Sequence, residues 1–88
     1  MLYVLDSKEN VIGCIIDGHV SFCFDNLSKQ IGTIGKNDGM LYLYNKENKL
    51  VAIYNGRNTI NPVGDLIDKG NVIYQILYPA YSMLKTKV

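Results

Sequence analysis

Short apolar runs separated by polar turns make up most of the chain. These runs are rich in Val, Ile, Tyr and Phe, the residues that strands favour, and none keeps the three-to-four-residue spacing of an amphipathic helix. The pattern therefore predicts an all-β fold, in which the only helix allowed is a short one after Pro79 in the C-terminal tail. The predicted strands include Val11–Ile16, Val20–Phe24, Met40–Tyr44, Leu50–Tyr54 and Asn71–Tyr78.

Glycine-containing turns lie between these runs. They are Asp17-Gly18, Asp38-Gly39, Asn55-Gly56 and Lys69-Gly70. Asp-Gly and Asn-Gly between apolar runs are a strong hairpin signal, because type I′ turns need positive φ at both central residues. We therefore expect one domain over residues 1-88 built from four antiparallel β-hairpin repeats. The repeats fall approximately at 3-18, 19-39, 40-56 and 57-74, with a tail at 75-88.

A period of about nineteen residues links the hairpins. Asp6, Asp25 and Asn45 each lie seven residues before a small residue that follows Ile or Val. A small residue in mid-strand weakens the strand, so its recurrence needs a reason. Close approach of backbones about a pseudo-fourfold axis is one explanation, and a β-bulge at each copy is the other. The structural small residues are Gly13, Gly32, Ala52 and, in a shortened fourth copy, Gly64.

The four-unit pattern resembles the bacterial four-fold beta-flower domain. The pattern is an Asp or Asn, a polar turn, an Ile/Val-Gly pair and then Asp-Gly or Asn-Gly, with Val51-Ala52 in the third unit and Lys69-Gly70 in the fourth, and together the units span roughly Tyr3 to Tyr74. The resemblance implies β-hairpins arranged like petals about a pseudo-fourfold axis. That family offers no established biochemical activity and no catalytic residues to carry over.

Charge and cysteine content limit the choice of partner and compartment. Nine basic and eight acidic residues leave a net charge of +1, which gives no strong field to attract nucleic acid or anionic lipid. The N-terminus shows no export signal and no apolar run has membrane-spanning length, so we expect a cytoplasmic protein without a membrane partner. A two-residue Asp17-Gly18 turn would place Cys14 opposite Ser21 and Cys23 opposite Ile12. We expect both thiols to be buried and inert.

The residues give no pattern for catalysis. His19 follows Asp17-Gly18, but a lone histidine beside a turn lacks the positioned partner that acid–base catalysis needs. The chain also lacks the residue sets for a closed zinc site, a calcium loop or a phosphate loop. We therefore predict no enzyme activity, no cofactor and no metal.

The tail remains apolar after the repeat ends. Tyrosine and methionine are enriched at the centres of interfaces, which makes this stretch a candidate surface for a second copy or a protein partner. The alternative is that Pro79 turns the chain back and the tail caps its own barrel. We expect a binding or structural module; a small β-barrel that binds nucleic acid through aromatic residues is the alternative. The candidate interface residues are Tyr74, Leu77, Tyr78, Tyr81, Met83 and Leu84.

Overall fold

A computed structural model describes residues 1–87 and consists of one antiparallel sheet with a single short helix, α1, at Ile73–Leu77. The all-β prediction is confirmed. Four of the five predicted strands are found with bounds that differ by at most one residue. The nine strands are β1 Leu2–Leu5, β2 Val11–Ile16, β3 Val20–Asp25, β4 Gln30–Asn37, β5 Met40–Asn45, β6 Leu50–Tyr54, β7 Asn58–Ile60, β8 Leu66–Lys69 and β9 Met83–Lys85.

The sheet is a meander closed at one edge by the tail. Strands β1 to β8 pair in the order in which they follow one another along the chain. Strand β9 returns to pair with β1, so β8 and β9 form the two edges of the sheet. In that last pairing Leu84 lies opposite Val4 and Lys85 lies opposite Tyr3. The C-terminal strand therefore covers the edge that β1 would otherwise leave unpaired.

The predicted positions of the helix and of the last long strand are wrong. Ile73–Leu77, inside the predicted strand Asn71–Tyr78, form α1 instead, and no helix follows Pro79 up to residue 87, where the described part of the chain ends. Side chains satisfy backbone N–H groups at the N-terminal end of α1. The N–H of Val72 donates to Oγ1 of Thr59 at 3.1 Å, and the N–H of Ile73 donates to Oδ1 of Asn71 at 3.1 Å. Before Pro79, Tyr78 adopts φ −124° and ψ 89°, the extended conformation expected ahead of proline, so the helix ends there.

Four loops of the meander have the same hydrogen bonds. In the first, Asp6 Oδ1 accepts from the backbone N–H groups of Lys8 and Asn10, each at 2.9 Å. The loops that begin at Asp25, Asn45 and Asn61 repeat these bonds. Side-chain oxygens of Asp and Asn bind the backbone two residues on in this way, which explains why the repeat begins with these residues.

The fourth residue of each loop has positive φ. Glu9, Ser28 and Asn48 have φ between 61° and 62°, and Gly64 has φ 98°. Gly64 is therefore a loop residue, and its prediction as the fourth small strand residue is wrong. Gly64 lies inside the loop that Asn61 begins, the fourth of the loops with these hydrogen bonds.

A β-bulge occurs at the same place in each of four strand pairs. Val4 lies opposite Gly13 and Leu5 lies opposite Val11, so Ile12 has no partner. The same shift leaves Ile31, Val51 and Ile67 unpaired. The first three unpaired residues, Ile12, Ile31 and Val51, are the Ile and Val residues that precede the small residues of the sequence repeat. The fourth is Ile67, which lies after Gly64 and not before it. The residues that follow them are Gly13, Gly32, Ala52 and Asp68.

The glycines after two of the bulges also sit where atoms crowd together. A Cβ added to Gly32 would lie 2.6 Å from the carbonyl oxygen of Tyr44 and 2.8 Å from Cδ2 of Leu77. A Cβ added to Gly13 would overlap the Phe24 carbonyl and the ring of Tyr78. The bulge explanation therefore applies to both glycines, and each glycine also permits the close approach of a neighbouring strand and of a side chain that packs on the sheet.

The core lies between the inner side of the sheet and the tail. Alternate residues of β1–β6 point inward, as expected for strands with one covered face. Ile73 of α1 and Tyr78 of the tail pack on the inner side of the sheet and are 0% and 3% exposed. The tail thus docks on its own sheet, the arrangement considered as the alternative in the sequence analysis. The core cluster comprises Val4, Ile15, Cys23, Ile34, Leu43, Ala52, Ile73 and Tyr78.

Candidate protein interface

The side of the sheet opposite the tail carries a continuous uncharged surface. Residues paired across neighbouring strands share a face, so this side can be followed from β1 to β6. One row runs from Tyr3 through Cys14 to Phe24, a second from Ile16 on β2 to Tyr44 on β5, and a third from Val20 on β3 to Ile53 on β6. None of these side chains carries a charge. We call the following set the outward face: Tyr3, Cys14, Ile16, Val20, Phe22, Phe24, Thr33, Gly35, Tyr42, Tyr44 and Ile53.

Three residues of the apolar outward face are exposed and the other eight are half-buried. Ile16, Val20 and Phe22 are 47%, 40% and 43% exposed. Five of the nine aromatic residues of the chain lie on it. Contiguous exposed apolar surface of this kind marks interaction sites, whereas isolated exposed residues do not. The outward face is therefore the strongest candidate site of the protein.

Charges next to the outward face are paired at its rim. Lys85 lies beside Tyr3 in the sheet, and its Nζ is 2.7 Å from Oε1 of Glu9. The hydrogen bond from Lys85 lowers the pKa of Glu9. Lys85, as the partner of Tyr3, lies on the same side of the sheet at its edge, and the ion pair with Glu9 neutralises its charge.

A polar cluster fixes the connection between β2 and β3. The Ser21 hydroxyl donates to Oδ1 of Asp17 at 2.6 Å, and Nζ of Lys36 lies 3.4 Å from the same oxygen. The hydrogen bond from Ser21, and then the charge of Lys36, lower the pKa of Asp17. His19 lies exposed in the same loop. The contacts of Asp17 with Ser21 and Lys36 hold this loop in place.

This loop also changes the predicted register. Cys14 pairs with Phe24 and Cys23 pairs with Ile15, not with Ser21 and Ile12 as predicted from a two-residue turn. The loop is wider because the Ser21 side chain binds Asp17, and β2 pairs with β3 only from Phe22 onward. Side chains alternate between the two faces of a strand, so a register shift by an odd number of residues reverses which residues of β2 and β3 share a face. Cys14 and Cys23 consequently lie on opposite faces.

The two thiols differ in environment. Cys23 is 0% exposed, and burial raises its pKa from 9.0 to about 12. Cys14 is half-buried on the outward face and lines an open pocket of about 270 Å³. The prediction that both thiols are buried is therefore wrong for Cys14. The pocket is lined by Tyr3, Val11, Gly13, Cys14, Asp25, Asn26 and Ser28.

We expect a maleimide to label Cys14 in the native protein and to label Cys23 only after denaturation. The reason is that a thiolate must form and be reached before it reacts. Mass spectrometry of peptides from native and denatured samples measures the two sites separately. Native labelling of Cys23 at the rate of Cys14 would contradict the burial of Cys23 in the core.

The tail residues predicted as an interface are brought together against the protein's own sheet. Leu77 lies against Gly32, and the rings of Tyr74 and Tyr81 are 5.8 Å apart at 32°. Met83 and Leu84 form part of β9, opposite Leu5 and Val4. All of them, apart from the buried Tyr78, are half-buried. A contact between these residues and a partner stays a prediction.

Tyr78 is buried and its hydroxyl group is hydrogen-bonded. Its hydroxyl donates to the carbonyl oxygen of Phe24 at 2.8 Å, and the carbonyl oxygen of Cys14 lies 3.3 Å away. Burial raises the pKa of Tyr78. A buried ring with a satisfied hydroxyl fastens the tail to β2 and β3.

The outward face was not predicted from the sequence, although a signal for it exists. The predicted interface lay in and next to the tail instead. Strict alternation in Val20–Phe24 and Met40–Tyr44 places every aromatic residue of these runs on one side. Only the strand pairing shows that the two sets lie on the same face.

Other kinds of site find no support within residues 1–87. No group of three or more His, Cys, Asp or Glu side chains in this part of the chain is placed to hold a metal ion. Across the same residues, no helix has the length and apolar character needed to cross a membrane. Compared with protein-family models, curated proteins and solved structures, the chain matches none of them.

Proposed function

We propose that this chain is a non-enzymatic protein-binding module whose outward face is the docking surface. The observation that carries the proposal is an exposed aromatic face without charge on a sheet whose other side is already filled by the tail. Protein interfaces deplete charge and enrich aromatic residues at their centres. We place the module in the cytoplasm, because its two free cysteines lie on opposite faces and fit a reducing compartment.

The outward face is a better docking surface than the tail. Tyr78 and Ile73 are buried in the core, so a partner would have to displace the tail to reach them. Phe22 is 43% exposed and can be covered with no rearrangement. Burial of apolar area without a prior unfolding cost favours the outward face.

We further propose that the sheet consists of four copies of one hairpin unit, arranged as in the beta-flower domain. Two recurring features support this proposal: the Asx-type loop that begins each connection and the bulge that follows it. In this interpretation Asn61 begins the fourth unit and Asp68 takes the place of the small residue.

A nucleic-acid partner has less support. Sites that stack bases combine aromatic rings with a cationic groove. The outward face supplies rings, but it has no cation, and Lys36 and Lys85 are paired with carboxylates. A protein partner fits this surface better because it can match an uncharged face.

Site-specific photo-crosslinking tests the proposed function. A photoreactive residue placed at Phe22 in the full chain, expressed in the cells from which the sequence comes, should give adducts with protein. The same residue at Val63, which is 83% exposed in a loop, is the control. Adducts from position 22 but not from position 63 would support the outward face. Equal adducts from both, or none from position 22, would contradict it.

A further inference from the structure

We infer that the partner bound to the outward face is a second copy of this chain, with two sheets packed face to face. This inference rests on the proposed function and adds the identity of the partner. Three properties of the outward face support it: the lack of charge, the arrangement of small and large side chains, and the area.

The charge of the outward face is compatible with self-association. The set of residues from Tyr3 to Ile53 defined above contains no charged side chain. Two identical charged surfaces repel each other when they pack around a two-fold axis, because each group meets an identical surface. An uncharged face avoids this penalty, and the rim pair Glu9–Lys85 is neutral overall.

The relief of the face is also self-complementary. On β4 the outward residues are small, Thr33 and Gly35. They lie between Phe22 on β3 and two tyrosines, Tyr42 and Tyr44, on β5. The face thus has a furrow along β4 with an aromatic ridge on each side. A two-fold axis can place the β3 ridge of each copy in the β4 furrow of the other, as facing sheets interdigitate in sandwiches.

The area of the face is sufficient for a weak dimer. Six strands about 4.8 Å apart and about six residues long span roughly 24 by 20 Å. Two such faces bury on the order of 1,000 Å², which is the lower limit for a specific interface. We therefore expect dissociation in the micromolar range rather than the nanomolar range.

Sedimentation equilibrium of the full chain tests the inference. As concentration rises from about 1 to about 200 µM, the weight-average mass should rise from the protomer's 9.9 kDa toward twice that value. Phe22→Asp removes the ridge and Gly35→Glu fills the furrow, so each should keep the protein monomeric. Gly35 tolerates a Cβ, whose nearest contact is Tyr44 Cε2 at 3.8 Å. Val63→Asp, in an exposed loop, is the matched control and should dimerise like the wild type.

Labelling of Cys14 gives a second readout. Cys14 lies on the outward face, so its maleimide reaction should slow several-fold at concentrations where the mass doubles. The same slowing should be absent from Phe22→Asp. Circular dichroism spectra matching the wild type establish that each variant is folded.

The outcomes separate this inference from the proposed function. A wild-type monomer over the whole concentration range overturns the inference, as does a dimer that all three variants preserve. If position 22 then crosslinks to a different protein in cells, the outward face still binds protein and only the identity of the partner is wrong. A monomer without adducts from position 22 overturns both.

Discussion

Replacing Tyr78 with alanine is expected to lower the free energy of unfolding by about 3–5 kcal/mol. The ring is 3% exposed, and its hydroxyl binds the Phe24 carbonyl from the far end of the chain. A domain of this length has a total stability of about 4–13 kcal/mol. The variant should therefore be unfolded or close to it at room temperature, which urea denaturation followed by circular dichroism would measure.

Two control variants separate the parts played by the ring and the hydroxyl. Tyr78→Phe keeps the ring and removes only the hydroxyl, so it should cost about 1–3 kcal/mol, the cost of an unsatisfied buried acceptor. Leu27→Ala changes a side chain that is 72% exposed and should cost less than about 0.5 kcal/mol. If Tyr78→Ala were no more damaging than Leu27→Ala, the tail would not be part of the core.

Replacing Gly32 with valine is expected to destabilise the protein by about 3 kcal/mol. A Cβ there would lie 2.6 Å from the Tyr44 carbonyl oxygen, which is held in the sheet, and 2.8 Å from Leu77. The leucine side chain can shift, but the carbonyl cannot move without breaking the pairing of β4 with β5. Denaturation midpoints of wild type and variant provide the measurement.

Gly39→Ala is the comparison for this substitution. Gly39 has φ 78° and no atom within 4 Å of an added Cβ. Alanine there meets only the conformational penalty of the left-handed region, about 1 kcal/mol. Equal midpoints for Gly32→Val and Gly39→Ala, or a reversed order, would show that the sheet does not crowd Gly32.

The structure also changes the role of the tail. From the sequence alone, its apolar residues exceed what a complete repeat needs and are expected to form a surface for a partner. In the structure, α1 and Tyr78 fill the inner side of the sheet and β9 covers its β1 edge. A sheet of short strands has too little apolar material on one face to form a core alone, so the tail completes the fold.

The strands and loops could be predicted from the sequence because local forces fix them. β-branched and aromatic runs determine Val11–Ile16 and Leu50–Tyr54, and the Asp38-Gly39 turn has positive φ at both residues, 52° and 78°. Asp6 and the residues equivalent to it begin loops through bonds within five residues. These features depend on neighbours in the chain, which a sequence shows directly.

Register, faces and the fate of the tail were decided by tertiary structure. The β2–β3 register differs by three residues from that of a two-residue turn, which places Cys14 on the outward face and Cys23 in the core, and the wider loop contains the bond from Ser21 to Asp17. The helical conformation at Ile73–Leu77 depends on Thr59, more than ten residues away, and overrides local strand propensity. Each of these outcomes depends on atoms that come together only after the sheet has formed, whereas strand propensity and turn type act within a few residues.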